Sequence, residues 1–96
     1  MHWTSTSSPP GTAYLAQSRK YCYRIYLVRT TRWWAIDVLW RNPGEDGERQ
    51  VVFAEGLGWS NLRDAKLWSA AYDRSKRTRP SDRAREADAA VLNAGA

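Results

Sequence analysis

Arginine and aromatic residues interleave between Tyr21 and Arg41, where Arg24, Tyr26, Arg29, Arg32, Trp33 and Arg41 occur. Guanidinium groups make planar, bidentate contacts with phosphate, carboxylate or guanine edges. Rings set between them can stack on bases or anchor a protein partner. Other chemistry has little to draw on. His2 is the only histidine and Cys22 the only cysteine. One of each makes neither a zinc site nor a nucleophile–base arrangement. A single cysteine also excludes an intrachain disulfide, which fits a reducing compartment. These residues predict no enzyme activity, no metal, no cofactor and no small-molecule substrate.

Charge points the same way. The chain has 96 residues and a net charge of +5. Arginine far outnumbers lysine. A basic domain of this size suits nucleic acid, because its cations replace counterions along phosphates. The excess is uneven. Residues 61–80 carry Arg63, Lys66, Arg74, Lys76, Arg77 and Arg79 against Asp64 and Asp73. The segment 41–60 is acidic through Glu45, Asp46 and Glu48. A solvated helix terminus, with cations complementing its dipole, is the plainer reading of the run around Arg74, Lys76 and Arg77.

The elements that must position these groups follow from periodicity. Residues 1–12 are rich in Ser, Thr and Pro and predict a flexible arm. Residues 13–20 predict a short, weak helix or a lead-in to the first strand. From Tyr21 the period is two. Tyr21, Tyr23, Ile25 and Leu27 share one face, and Arg24 and Tyr26 lie on the other. A second strand, Trp33 to Arg41, sends Trp34, Ile36, Val38 and Trp40 to the core. It sends Trp33, Asp37 and Arg41 outward. A third, Arg49 to Glu55, sends Val51 and Phe53 inward and Gln50 outward, and Gly56 and Gly58 end it.

A helix then begins at Ser60 or Asn61, with Leu62, Ala65, Trp68, Ser69 and Tyr72 on one stripe. Pro80 stops it. Ser81 can cap a last Ala-rich helix, which otherwise is a frayed tail. The predicted class is α+β: a three-stranded antiparallel sheet with a helix on one face, in the order β-β-β-α. The expected domains are an arm at 1–12, the β-β-β-α unit at 13–80 and a helix or tail at 81–96. No signal-peptide pattern or long apolar run occurs, so a cytoplasmic protein is expected.

The segments "RWWAIDVLW", "ERQVVFAEG" and "NLRDAKLWSAA" resemble the arm-type DNA-binding domain of tyrosine integrases. Asn61, Asp64, Ala65 and Trp68 carry the helix part of the likeness. It covers roughly half the chain, without the catalytic integrase domain. The resemblance implies that the outer sheet face enters the major groove of duplex DNA. Arg24, Tyr26, Trp33, Arg41 and Gln50 would be the contacts. "GLGWSNLRDAKLWSAA" is also similar to the double-stranded-RNA-binding domain, through Gly56, Gly58, Ser60, Ala65, Lys66, Ala70 and Ala71. The spacing from Ser60 to Ala65 is one residue too long, and that family's paired lysines are missing. An antitoxin-type fold shares the β-β-β-α order.

The expected partner is therefore nucleic acid, with DNA ahead of RNA. It would be held by Arg24, Tyr26, Arg29, Arg32, Trp33, Arg41, Gln50, Arg63, Lys66, Arg74, Lys76 and Arg77. The alternative is a host protein or nucleoprotein complex bound and inhibited by the same Trp and Arg surface, as phage and mobile-element proteins do. No membrane partner is expected.

Overall fold

The computed structural model describes residues 1–8 and 11–94. Pro9 and Pro10 of the expected arm, and Gly95 and Ala96 of the expected tail, lie outside the described residues.

The strands are β1 (Thr4–Ser8), β2 (Gly11–Gln17), β3 (Tyr21–Val28), β4 (Trp33–Trp40) and β5 (Val51–Trp59). They form one antiparallel sheet in sequence order. Two helices follow, α1 (Leu62–Arg74) and α2 (Pro80–Ala94). The α+β class and the helix-covered sheet match the expectation, but the sheet has five strands where three were predicted.

The extra strands come from the segments read as an arm and a weak helix. "AYLAQ" has too few branched or aromatic residues to distinguish a strand from a helix by period alone. Tertiary pairing decides it, with Tyr14 opposite Ile25 and Ala16 opposite Tyr23. β1 consists only of Ser and Thr. It is held by its ladder to β2, while Trp3 just before it packs against the core.

Alternation works as expected in the middle of β3 and β4. Tyr23, Ile25, Ile36 and Val38 are fully buried beneath the helices. It fails toward the strand ends. Leu27, expected on the same face of β3, is 42% exposed. An irregularity of register lies between Val38 and Leu39. It leaves Val52 as the extra residue, so Val51 pairs with Leu39 on the outer face and is 55% exposed. Trp40 keeps its predicted side but sits at the strand end, beyond the helices' full cover, and is 40% exposed.

β5 also runs past the glycines expected to end it. Gly58 adopts φ +75°, and a Cβ there would lie 2.6 Å from the Trp34 carbonyl oxygen. Glycine thus lets the strand bend closely over β4 and continue to Trp59, opposite Trp34.

α1 starts where Asn61 Oδ1 accepts the Asp64 backbone N–H at 2.8 Å. Its buried stripe is Ala65, Trp68, Ser69, Ala71 and Tyr72. Trp68 stacks on Phe53 and Tyr72, at centroid distances of 6.0 and 5.2 Å. Two carboxylates pin polar handles of core rings. The Tyr23 hydroxyl donates to Asp73 at 2.8 Å, and the Trp68 indole N–H donates to Asp88 of α2 at 2.8 Å. Pro80 does not stop α1, which already ends at Ser75, whose N–H reaches the Ala71 and Tyr72 carbonyls. Pro80 instead opens α2, where its missing N–H is one of the groups that a helix start leaves unbonded anyway. α2 packs on α1 through Ala84, Ala87 and Val91.

Candidate nucleic-acid interface

The residues expected to form one surface are distributed over several. Arg24, Tyr26 and Trp33 lie on the outer sheet face, which no helix covers. Arg29 and Arg32 are in the β3–β4 turn, where Arg32 takes φ 59°. Arg41 and Gln50 flank the acidic β4–β5 loop at the opposite end of the sheet, next to Trp40. Arg63 and Lys66 are on α1, in the other layer. With Leu62 and Leu67 they line a shallow groove of about 500 Å³. The Lys66 ammonium lies 5.1 Å from the Tyr14 ring centre. Arg74, Lys76 and Arg77 are at the α1–α2 corner.

The outer sheet face is nearly neutral. Arg24 and Asp37 stand opposite each other in the β3–β4 register and form an ion pair. The Asp37 side chain is 9% exposed and that of Arg24 47%. The Arg24 guanidinium also lies 5.5 Å from the Tyr26 ring centre. Burial and the Asp37 charge raise the Tyr26 pKa, with Arg24 opposing them. Asp37 thus orients Arg24, one of the roles open to a carboxylate at this position. The two charges cancel.

Positive charge gathers instead at the corner. Arg74, Lys76, Arg77 and Arg85 line an open groove of about 900 Å³ together with Asp82 and Glu86. Arg77 pairs with Glu86 at 3.7 Å, and Arg79 with Asp82 at 3.6 Å. Arg74, Lys76 and Arg85 have no carboxylate partner among the described residues. Side-chain hydrogen bonds hold the corner together. Arg83 donates to the carbonyls of Arg77 at 2.7 Å and Tyr72 at 3.0 Å, and Ser75 donates to Glu86 at 3.0 Å.

Arg83 also links this corner to the end of the sheet. Its guanidinium lies 5.4 Å from the Tyr21 ring centre and 5.6 Å from that of Tyr72. Burial, with a contribution from Tyr21, pushes the Tyr72 hydroxyl up to about 12, against the opposing charge of Arg83. Tyr21 in turn packs on Trp40 at 5.5 Å, and the Lys20 ammonium covers both rings at 5.6 and 5.7 Å. The Arg41 N–H donates to the Lys20 carbonyl, and Arg49 donates to the Arg41 carbonyl. A continuous basic and aromatic band therefore runs from the corner across the sheet end to Trp40.

Several members of this band are not among the residues expected from the sequence. Lys20 ends the segment that predicts a weak helix or a lead-in to the first strand, and strand parity sends Trp40 to the core. Trp40's place at the end of its strand was the signal for exposure. Arg83 and Arg85 lie in a segment that left helix and tail open, and only tertiary packing brings them to the corner. Among the described residues, no cluster of His, Cys, Asp and Glu is arranged to hold a metal. No helix among the described residues is long and apolar enough to cross a membrane. No family model matches the chain, and no curated protein or solved structure matches it either.

Proposed function

We propose that this protein is a small, non-catalytic nucleic-acid-binding module, with duplex DNA preferred over RNA. It grips phosphates through the α1–α2 corner. The observation that supports this reading is the groove in which Arg74, Lys76 and Arg85 have no carboxylate partner among the described residues. The band through Arg83 and Lys20 extends it to the half-exposed Trp40 ring. The two acids of the groove, Asp82 and Glu86, are engaged by Arg79 and Arg77, which leaves the other cations to meet phosphate oxygens. The adjoining ring offers a stacking or sugar contact that does not depend on base identity.

The binding surface is thus moved from the outer sheet face, where an arm-type likeness would place it, to the helix corner and sheet end. Fluorescence anisotropy with a labelled duplex tests this. Lys76→Glu combined with Arg85→Glu should weaken binding at least tenfold while the far-ultraviolet circular dichroism stays unchanged. If no duplex or RNA binds in a salt-sensitive way at about 10 μM protein, within the usual range of non-specific affinity, the reading is lost.

A further inference from the structure

The outer sheet face is a second surface, with a different chemistry. Its side chains fall in cross-strand rows. The central row runs Thr4, Leu15, Arg24, Asp37, Ala54 across all five strands. The rows on either side carry Tyr26 with Ala35 and Cys22 with Leu39, and Val51 and Trp33 lie toward opposite ends. Apart from the Arg24–Asp37 pair, the side chains of these rows are uncharged. Trp33 is 47% and Val51 55% exposed. They are two of the few large apolar side chains left in solvent.

We propose that this face is a homodimer interface, occupied by a second copy of this chain related by a two-fold axis. Three observations favour that occupant. First, charge. Each copy carries +5, so two copies repel through most of their surface. The outer face is net neutral, and its one ion pair is self-complementary. Under a two-fold axis through the central row, Arg24 of each copy meets Asp37 of the other. The Arg24 side chain is half-exposed and bonds Asp37 through one terminal nitrogen, so it has donors left for a second carboxylate.

Second, composition. A ring, an arginine and a tyrosine amid small and aliphatic residues are the residue types that concentrate binding energy at protein interfaces. A phosphate backbone would instead meet a cancelled charge and a central carboxylate. Third, area. Five strands of 5 to 9 residues, about 4.8 Å apart and at ~3.3 Å per residue, present roughly 600 Å² in projection. Two such faces bury about 1,200 Å² in total, the lower bound of stable specific interfaces. The dimer is therefore a sheet-on-sheet sandwich with the helix layers, and both basic corners, outside.

Analytical ultracentrifugation of the nuclease-treated full chain tests this, from about 1 to about 500 μM, a range that brackets the micromolar affinity expected of so small an interface. The expected result is a concentration-dependent monomer–dimer equilibrium. Trp33→Lys and, separately, Val51→Lys should each weaken dimerisation at least tenfold. Both positions are exposed in the monomer, so thermal melts of dilute protein should be little changed. Leu92→Lys, on the exposed side of α2, should leave the dimer intact. A wild-type chain that stays monomeric throughout overturns the proposal. So does a dimer that survives both outer-face substitutions, or one that Leu92→Lys disrupts equally. A face that instead captures nucleic acid or a different protein while the chain remains monomeric also counts against it.

Discussion

Two tryptophans set the range of what a single ring contributes here. Trp68 is fully buried, stacked on Phe53 and Tyr72, and bonded to Asp88. Trp68→Ala should cost about 3–5 kcal/mol, the usual range for deleting a large buried aromatic side chain. Trp33→Ala in dilute protein should cost under about 1 kcal/mol, because the ring is half in solvent. Urea melts of the two variants measure both. Equal losses would mean that the outer face is buried even in the monomer. The core tyrosines give a pH prediction. Burial, reinforced by Asp73, holds the Tyr23 hydroxyl well above its ordinary value, and that of Tyr72 is pushed up to about 12. A raised folded-state pKa means that the native state keeps protons that the unfolded chain sheds. Stability is then full below pH ~10 and falls as pH rises beyond it. Tyrosinate absorbance of these two rings should therefore appear together with unfolding. Tyr72→Phe should flatten the alkaline loss, since the hydroxyl it removes is buried without a hydrogen-bond partner.

At the scale of elements, the N-terminal strand is the sharpest departure from sequence expectation, and it can be tested. β1 is polar, yet Trp3 beside it packs against the core. Trp3→Ala should lower stability by about 1–3 kcal/mol, reflecting partial burial of a large ring. Deleting residues 1–8 should do at least the same. A thermal melt unchanged by either would restore the flexible arm. What was legible in the sequence was whatever repeats with a strict period under a covered face. The middle of β3 and of β4 and the stripe of α1 bury the residues that alternation and the 100° spacing predict, whereas Leu27 and Trp40 near the strand ends stay exposed. What was not legible depended on partners distant in sequence. "TSTSS" becomes a strand through its ladder to β2, and "AYLAQ" through its ladders on both sides. The bulge beside Val52 shifts parity at one residue, and no local signal marks it. The candidate site divides in the same way. The run Arg74, Lys76, Arg77 was visible as charge density, whereas the cancellation of Arg24 by Asp37 needed the β3–β4 register.

The whole molecule separates its charges by layer and by end, and this fixes a quantitative expectation for binding. The outer sheet face is neutral, the α1–α2 corner is basic, and the sheet end mixes Lys20, Arg41 and Arg49 with the acids of the β4–β5 loop. At the corner, Arg74, Lys76 and Arg85 are available outright. Arg77 and Arg79 belong to ion pairs whose arginine side chains are 71% and 81% exposed. Such exposed pairs contribute little and are readily exchanged for a phosphate. Four to five phosphate contacts then give a slope of log affinity against log salt of about −4, at ~0.9 per contact. Lys76→Glu with Arg85→Glu should reduce that slope by about 2. Neutralising Glu45 and Glu48 to glutamine should raise affinity at low salt, since these carboxylates repel the strand that approaches Trp40, and the gain should vanish at high salt. A titration series over salt concentration reads all three. An unchanged slope in the corner variant would place the phosphates elsewhere. A lower affinity after neutralising the loop would mean that its acids contact the partner directly, as a protein surface would require and a phosphate backbone would not.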